Sequence, residues 1–266
     1  MRRQIAAGLC LGVFSLAPAA KAIAGAWTLA EGKGQLATTV TQSDATRAFG
    51  GYGALAPVPR YSKFELESLI EYGLSNRVTL IAEPRLQEAT VDGPQGGQRS
   101  GPGYTEFGGR YRLLQANSWV LSAQATARLP GTFARKNPAA VGYADTETDG
   151  RILFGNNFSI GGLPVFVNAE LAQRFRAGDP PNEFRADFTF GFAPAPRWQW
   201  LAQSFNVISE GRGAPAFPSY AYHKLQISAV YDVTAMWALQ VGGFRTVTGR
   251  QALQENGAIF AVIHKF

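Results

Sequence analysis

Residues 63–72 divide by parity into two rows of different chemistry. Phe64, Leu66, Ser68, Ile70 and Tyr72 fall on one row, and Lys63, Glu65, Glu67, Leu69 and Glu71 on the other. A helix would mix these rows, whereas a strand puts them on opposite faces. The split recurs. Residues 119–129 set Trp119, Leu121, Ala123, Ala125, Ala127 and Leu129 against Val120, Ser122, Gln124, Thr126 and Arg128. Residues 184–192 set Phe184, Ala186, Phe188, Phe190 and Phe192 against Arg185, Asp187, Thr189 and Gly191, and residues 105–113 and 223–231 behave alike. Gly-, Pro-, Asn- and Asp-rich breaks separate these segments, as strand connections require.

Alternation alone also fits a soluble sandwich with one wet face. Three features favour a closed cylinder in a membrane. The apolar rows begin or end on aromatics such as Tyr72, Trp119, Phe192, Tyr231 and Trp237, as girdles at two interfaces would require. Gly and Ala are frequent on the polar rows, as a packed lumen needs. The connections alternate between short and long. Twelve strands are predicted, near 34–43, 60–73, 77–89, 104–115, 118–130, 149–160, 163–177, 183–193, 197–209, 220–232, 236–248 and 257–266. The long joins are 44–59, 90–103 and 131–148. All short joins then fall on one side, with the chain terminus. The ninth strand, 197–209, has no clean parity, and a bulge that swaps its faces is expected there.

The last strand closes the cylinder. Phe266, His264, Val262, Phe260 and Ala258 form one row that ends on a terminal aromatic. In bacterial outer-membrane barrels such an aromatic sits at the periplasmic girdle. Phe266 is therefore read as the assembly signal for the barrel-assembly machinery. The expected fold is all-β: a closed antiparallel transmembrane β-barrel of about 12 strands over residues 25–266, in the bacterial outer membrane, with lipid bilayer and lipopolysaccharide around it.

Residues 1–24 read as a cleaved signal peptide. Arg2 and Arg3 precede the apolar run Ile5 to Leu16, and Ala22-Ile23-Ala24 offers a small-x-small cleavage site. That run is shorter than the ~20 residues a spanning helix needs. The single cysteine, Cys10, lies inside it, so the mature chain has no thiol chemistry. Removal of Arg2, Arg3 and Lys21 leaves 22 basic and 19 acidic residues, a net of +3 against +6 for the whole chain. That balance, with no basic cluster interleaved with aromatics, gives no sign of nucleic-acid binding.

The polar rows collect Glu65, Glu67, Glu71, Glu83, Arg85, Glu106, Arg110, Arg112, Arg128, Arg151, Glu170, Arg174, Arg176, Arg185, Asp187 and Lys224. A charge facing lipid at the midplane would cost roughly 2–4 kcal/mol, so these are assigned to the lumen. Two readings stay open. A salt-bridged lumen would fill and stiffen the barrel, or a hydrated pore with an Arg-rich wall would favour anionic solutes. The two histidines carry no catalytic pattern. His264 shares the lipid-side row with Phe266, and His223 opens a strand at the outer rim without Ser219 or Ser228 at a convincing spacing. No metal cluster, phosphate loop or nucleophile elbow occurs, so no cofactor and no enzymatic activity are expected.

Gly25-Ala-Trp-Thr28, Gly32-Lys-Gly-Gln35, Glu71-Tyr-Gly-Leu-Ser-Asn-Arg77, Arg185-Ala-Asp-Phe-Thr-Phe-Gly191 and Gln203-Ser-Phe-Asn206 together resemble the XagA-like group of proteobacterial outer-membrane proteins. The turn 71–77 also looks like those of phenol-meta-pathway-type barrels. The resemblance implies a barrel linked to surface-glycan production, adhesion or uptake of hydrophobic compounds, with a small solute or glycan as cargo. It implies no particular set of functional residues. The expected function is a narrow channel or an accessory to transport or surface-glycan export. A surface protein acting through its external loops is the alternative, and a lipid- or lipopolysaccharide-modifying rim enzyme a lesser one.

Overall fold

A computed structural model describes residues 25–131, 145–214 and 217–266. Residues 1–24, where a signal peptide is expected, and most of the 131–148 join lie outside the described residues.

The described chain is built of strands joined by turns. The strand segments are β1 (Gly34–Phe49), β2 (Leu55–Ser75), β3 (Val78–Glu83), β4 (Arg85–Val91), β5 (Gly97–Pro102), β6 (Thr105–Gln115), β7 (Trp119–Leu129) and β8 (Glu147–Ile160). They continue as β9 (Leu163–Arg176), β10 (Glu183–Ala195), β11 (Trp198–Ser209), β12 (Ala221–Asp232), β13 (Trp237–Arg250), β14 (Ala252–Leu253) and β15 (Asn256–Lys265). Pro84 interrupts one barrel strand into β3 and β4, both of which pair with β2. In the same way β5 and β6 are one strand, and so are β14 and β15. The fifteen segments thus make twelve barrel strands, each antiparallel to its neighbours, and β1 pairs with both β2 and β15 to close the cylinder. Closure leaves the barrel proper without a free edge.

Alternation decides which way each side chain points. Phe64, Ile70, Tyr72, Phe107, Leu129, Phe184, Phe188, Phe190, Leu225 and Ile227 are exposed on the outside. Water would penalise so much exposed apolar surface; a hydrocarbon surround removes the penalty. At the inner end, which carries the chain terminus, the outward aromatics pack together as a girdle. Trp237 stacks on His264 at 4.2 Å, His264 contacts Phe266 at 5.7 Å, and Trp198 meets Tyr231 at 4.8 Å. The turn between β8 and β9 is Gly161-Gly162, with φ of 57° and 84°. Two consecutive positive φ values are what a tight hairpin needs, and glycine adopts them freely.

Two expectations need correction. Residues 197–209 contain no bulge: β11 keeps unbroken register with β10 from Trp200 to Ser209 and with β12 throughout. Its parity looked confused because the row is chemically mixed. Leu201 and Val207 point inward into packed surroundings, while Ser204 and Asn206 point outward and hydrogen-bond each other at 3.1 Å. The joins 44–59 and 90–103 are not long loops. They are extended hairpins, β1–β2 and β4–β5, that turn only at 50–54 and 92–96. Their prolines suggested loops, but Pro57 and Pro102 sit where a strand is paired on one side only, so a missing N–H costs no ladder bond.

Candidate functional site: the barrel lumen

The inward rows divide the lumen into a charged outer half and a packed inner half. In the outer half, long basic side chains reach carboxylates on the next strand or two residues away on their own. Arg85 bridges Glu67 (2.9 Å) and Glu83, Lys63 lies 3.5 Å from Glu65, and Lys224 pairs with Glu255 at 2.8 Å. Along the adjacent strands β6 to β9, Arg128 contacts Glu106 (3.1 Å) and Glu147, and Arg176 Nε donates to Glu147 at 2.8 Å. Arg174 donates to Asp149 at 3.0 Å. Arg151 binds Asp149 at 2.9 Å and Glu170 at 2.6 Å, with Asp187 at 4.0 Å. Arg185 reaches Glu183 at 3.5 Å, and Tyr220 donates to Glu183 at 2.5 Å. Lower down, the buried pair Arg110–Glu71 closes at 2.9 Å, and Gln35 donates to the same carboxylate at 2.9 Å.

All the lumen residues expected from sequence except Arg112 thus lie in ion pairs. Arg112, at the inner rim, hydrogen-bonds Gln115. Sequence reasoning missed Glu147, Asp149, Glu183, Glu255 and Lys63 as members of the lattice. Lys63 lay on the polar row already recognised, and Glu147 sits just outside the strand boundary assigned from the pattern. With those carboxylates present, Arg85, Arg128, Arg151, Arg174, Arg176 and Arg185 each have an anionic neighbour. The wall is a neutralised lattice and not a cationic surface. It surrounds a vestibule of about 460 Å³, lined among others by Tyr61, Arg85, Arg128, Arg176, Arg185 and Tyr222.

The inner half is closed by packing. Ala37, Phe166, Leu201, Val230, Ala238 and Ile263, from six strand segments, form one buried apolar cluster with Leu69 against it. Residues 25–33, which precede β1, fill the space that remains. Ala26 packs with Val120 and Leu153, and Trp27 lies against them. Polar backbone groups of this segment find partners on the wall. Ser122 Oγ donates to the Ala26 carbonyl at 2.5 Å, Arg110 Nη1 donates to the Trp27 carbonyl at 3.1 Å, and Leu29 N donates to Thr79 Oγ1 at 2.8 Å. Two inward glycines make room. A Cβ on Gly155 would lie 2.2 Å from the Trp27 ring, and one on Gly73 would lie 2.1 Å from the Ala30 carbonyl oxygen. The segment is a stopper held by shape and by hydrogen bonds that cross the lumen wall.

The histidines stay outside the lumen. His223 Nδ1 meets Asn206 Oδ1 at 2.8 Å on the outward face, and Asn206 Nδ2 donates to Ser204 Oγ at 3.1 Å. The asparagine therefore stands between the imidazole and the hydroxyl, which is not the direct base–nucleophile contact that acyl transfer needs.

No family model matches this sequence, and no curated protein matches it. Solved structures do. The COG4313 outer membrane channel from Pseudomonas putida F1 superposes with a TM-score of 0.73 at 16% identity, over 92% of this chain and 100% of that one. The translocator domain of the autotransporter NalP from Neisseria meningitidis gives a TM-score of 0.56 at 11% identity, over 90% of both chains. The NanC porin gives 0.53 at 10% identity, over 86% of this chain and 100% of that one. The chain has the fold of the outer-membrane β-barrels.

Proposed function

We propose that the protein is an outer-membrane channel of narrow bore. Its charged outer vestibule admits small polar solutes, and residues 25–33 close its inner mouth. The observation that carries this reading is the division of the lumen: an open chamber lined by charged side chains above, and below it a stopper that is a separate stretch of chain and not part of the wall. A barrel built only as a scaffold would have no use for such a chamber, since wall side chains can fill a cylinder of this size. The fold likeness to a channel and a porin supports the same reading. Cleavage after Ala24 would leave Gly25 as the first residue of the stopper. Reconstitution in planar bilayers is the test. Small, discrete conductance steps are expected once residues 25–31 are removed, and a folded barrel without them that stays silent in every salt would rule the channel out.

Membership of the XagA-like group belongs to this proposal. The stretches that carry the resemblance coincide with parts of the closing device: Gly25 to Thr28 is in the stopper, and Gly73 is the wall position that the stopper backbone rests on. Export of a surface glycan, or assistance to it, is the transport role the resemblance suggests. The β1–β2 hairpin favours a second reading, adhesion. It carries a fully exposed Tyr52 at its tip. Loss of adhesion on shortening that hairpin, with conductance intact, would support the adhesive role.

A further inference from the structure

The outside of the barrel carries one cationic patch that the channel reading leaves unused. On β13 the outward row runs Trp237, Leu239, Val241, Gly243, Arg245, all exposed. Trp237 stands in the inner girdle. Arg245 is eight residues further along a strand that rises ~3.3 Å per residue and tilts about 40°, so it lies on the order of 20 Å higher, close to the top of an apolar band ~25 Å tall. A register shift opposite His223 and Lys224 then inserts Val247 as an extra residue, and Thr248 and Arg250 emerge on the outward face above it. Among the described residues neither arginine has a carboxylate partner. Outward positions at the outer ends of β8 to β11 are apolar or uncharged, Phe184 and Ile208 on β10 and β11, Phe175 and Thr148 on β9 and β8, whereas β1 and β4 carry outward carboxylates, Asp44 two strands from Arg245 and Glu88 further round. The two cations stand together on β13, five residues apart on its outward face.

Below them lies a ladder of exposed aliphatics on β12 and β13, Leu225, Ile227 and Val241, and Val247 stands between the two arginines. Apolar surface for acyl chains, capped by unpaired guanidinium groups at the height of the headgroups, fits an anionic amphiphile. A guanidinium binds phosphate oxygens through paired N–H donors, which ammonium groups do not match in geometry. His223, fixed through its Nδ1 by Asn206, borders the patch beside its cross-strand partner Thr248.

We propose that Arg245 and Arg250 form a binding site for the phosphate groups of an outer-leaflet glycolipid, lipopolysaccharide, whose acyl chains lie along β12 and β13. The site is independent of the lumen, so the channel reading can fail without affecting it.

The test uses the full-length barrel refolded in detergent micelles and titrated with purified lipopolysaccharide, with binding followed by native mass spectrometry. Arg245→Gln with Arg250→Gln should weaken binding about thirtyfold, since each basic residue near an anionic lipid surface contributes about 1 kcal/mol. Enzymatically dephosphorylated lipopolysaccharide should bind the wild-type barrel as weakly as intact lipopolysaccharide binds the double variant. Heat-modifiable migration reports that the variant is folded; Lys substitutions at both positions are the second pair, expected to recover part of the affinity. Equal binding by wild type and Gln variant, or equal binding of the phosphorylated and dephosphorylated forms, would overturn the site.

Discussion

The indole of Trp27 rests on Gly155, so closely that a Cβ at that position would fall 2.2 Å from the ring. The contact joins the segment ahead of β1 to the wall at β8, more than a hundred residues away in sequence. It makes the size of residue 155 a control on whether the stopper can seat. Gly155→Ala should lift Trp27 from its place while leaving the β8 backbone ladder intact. Single-channel conductance is expected to rise, and Trp27→Ala should do the same by removing the ring. Gly150→Ala, where a Cβ meets nothing, is the matched control and should leave conductance at the wild-type value.

Glu71 and Arg110 are almost fully buried, with side chains 2% and 5% exposed. Two charges taken out of water this completely depend on each other, and removing one leaves the other unpaired at a cost of about 3–5 kcal/mol. Glu71→Gln should lower the urea midpoint of the folded barrel markedly, and Arg110→Met should do so by a similar amount. The double variant should recover part of the loss. Additive losses would show that the two side chains act separately.

Glu147 is the carboxylate that the outer wall can least spare. It faces Arg128, lies 2.8 Å from Arg176 and is 3.9 Å from Arg174. Glu147→Gln removes one negative charge and leaves three guanidinium groups short of a partner. Reversal potentials in a KCl gradient should then move toward chloride preference, with less effect at high salt, where screening is shorter-ranged.

The closing seam depends on Gly34 and Phe266, which exchange backbone hydrogen bonds at 2.8 and 2.9 Å. The Phe266 ring covers Gly34 so that a Cβ there would lie 2.3 Å from it. Gly34→Val should push the ring off the seam. The yield of heat-modifiable, folded barrel after dilution from urea should fall, and Phe266→Ala should slow folding without abolishing it.

How much of this was legible in the sequence depended on what each position had to satisfy. Residues 63–72 were transparent because lipid lies on one side and charged partners on the other, so parity and polarity agree. On β11 they disagree: Leu201 joins the apolar floor and Val207 lies inward between Arg185 and Tyr222, while Ser204 and Asn206 satisfy each other outside. The outer hairpins were read as loops because prolines are tolerated where a strand is paired on one side only. Most of the ion-pair lattice could be read as inward charges, but Glu147 and Glu183 lay at strand ends, and without them the wall looked cationic. The stopper had no periodicity to betray it. Its trace in the sequence was indirect, in Gly73 and Gly155 on inward rows where a side chain would be expected.

On the channel reading, residues 25–33 close the opening that the packed inner half of the wall leaves. Comparing the planar-bilayer conductance of the intact chain with that of a variant lacking residues 25–31 tests it most directly. The variant keeps β1 and the closing seam, and its folding can be checked by heat-modifiable migration. A several-fold larger conductance in the shortened barrel is the expected result; a folded barrel whose conductance is unchanged would contradict the account.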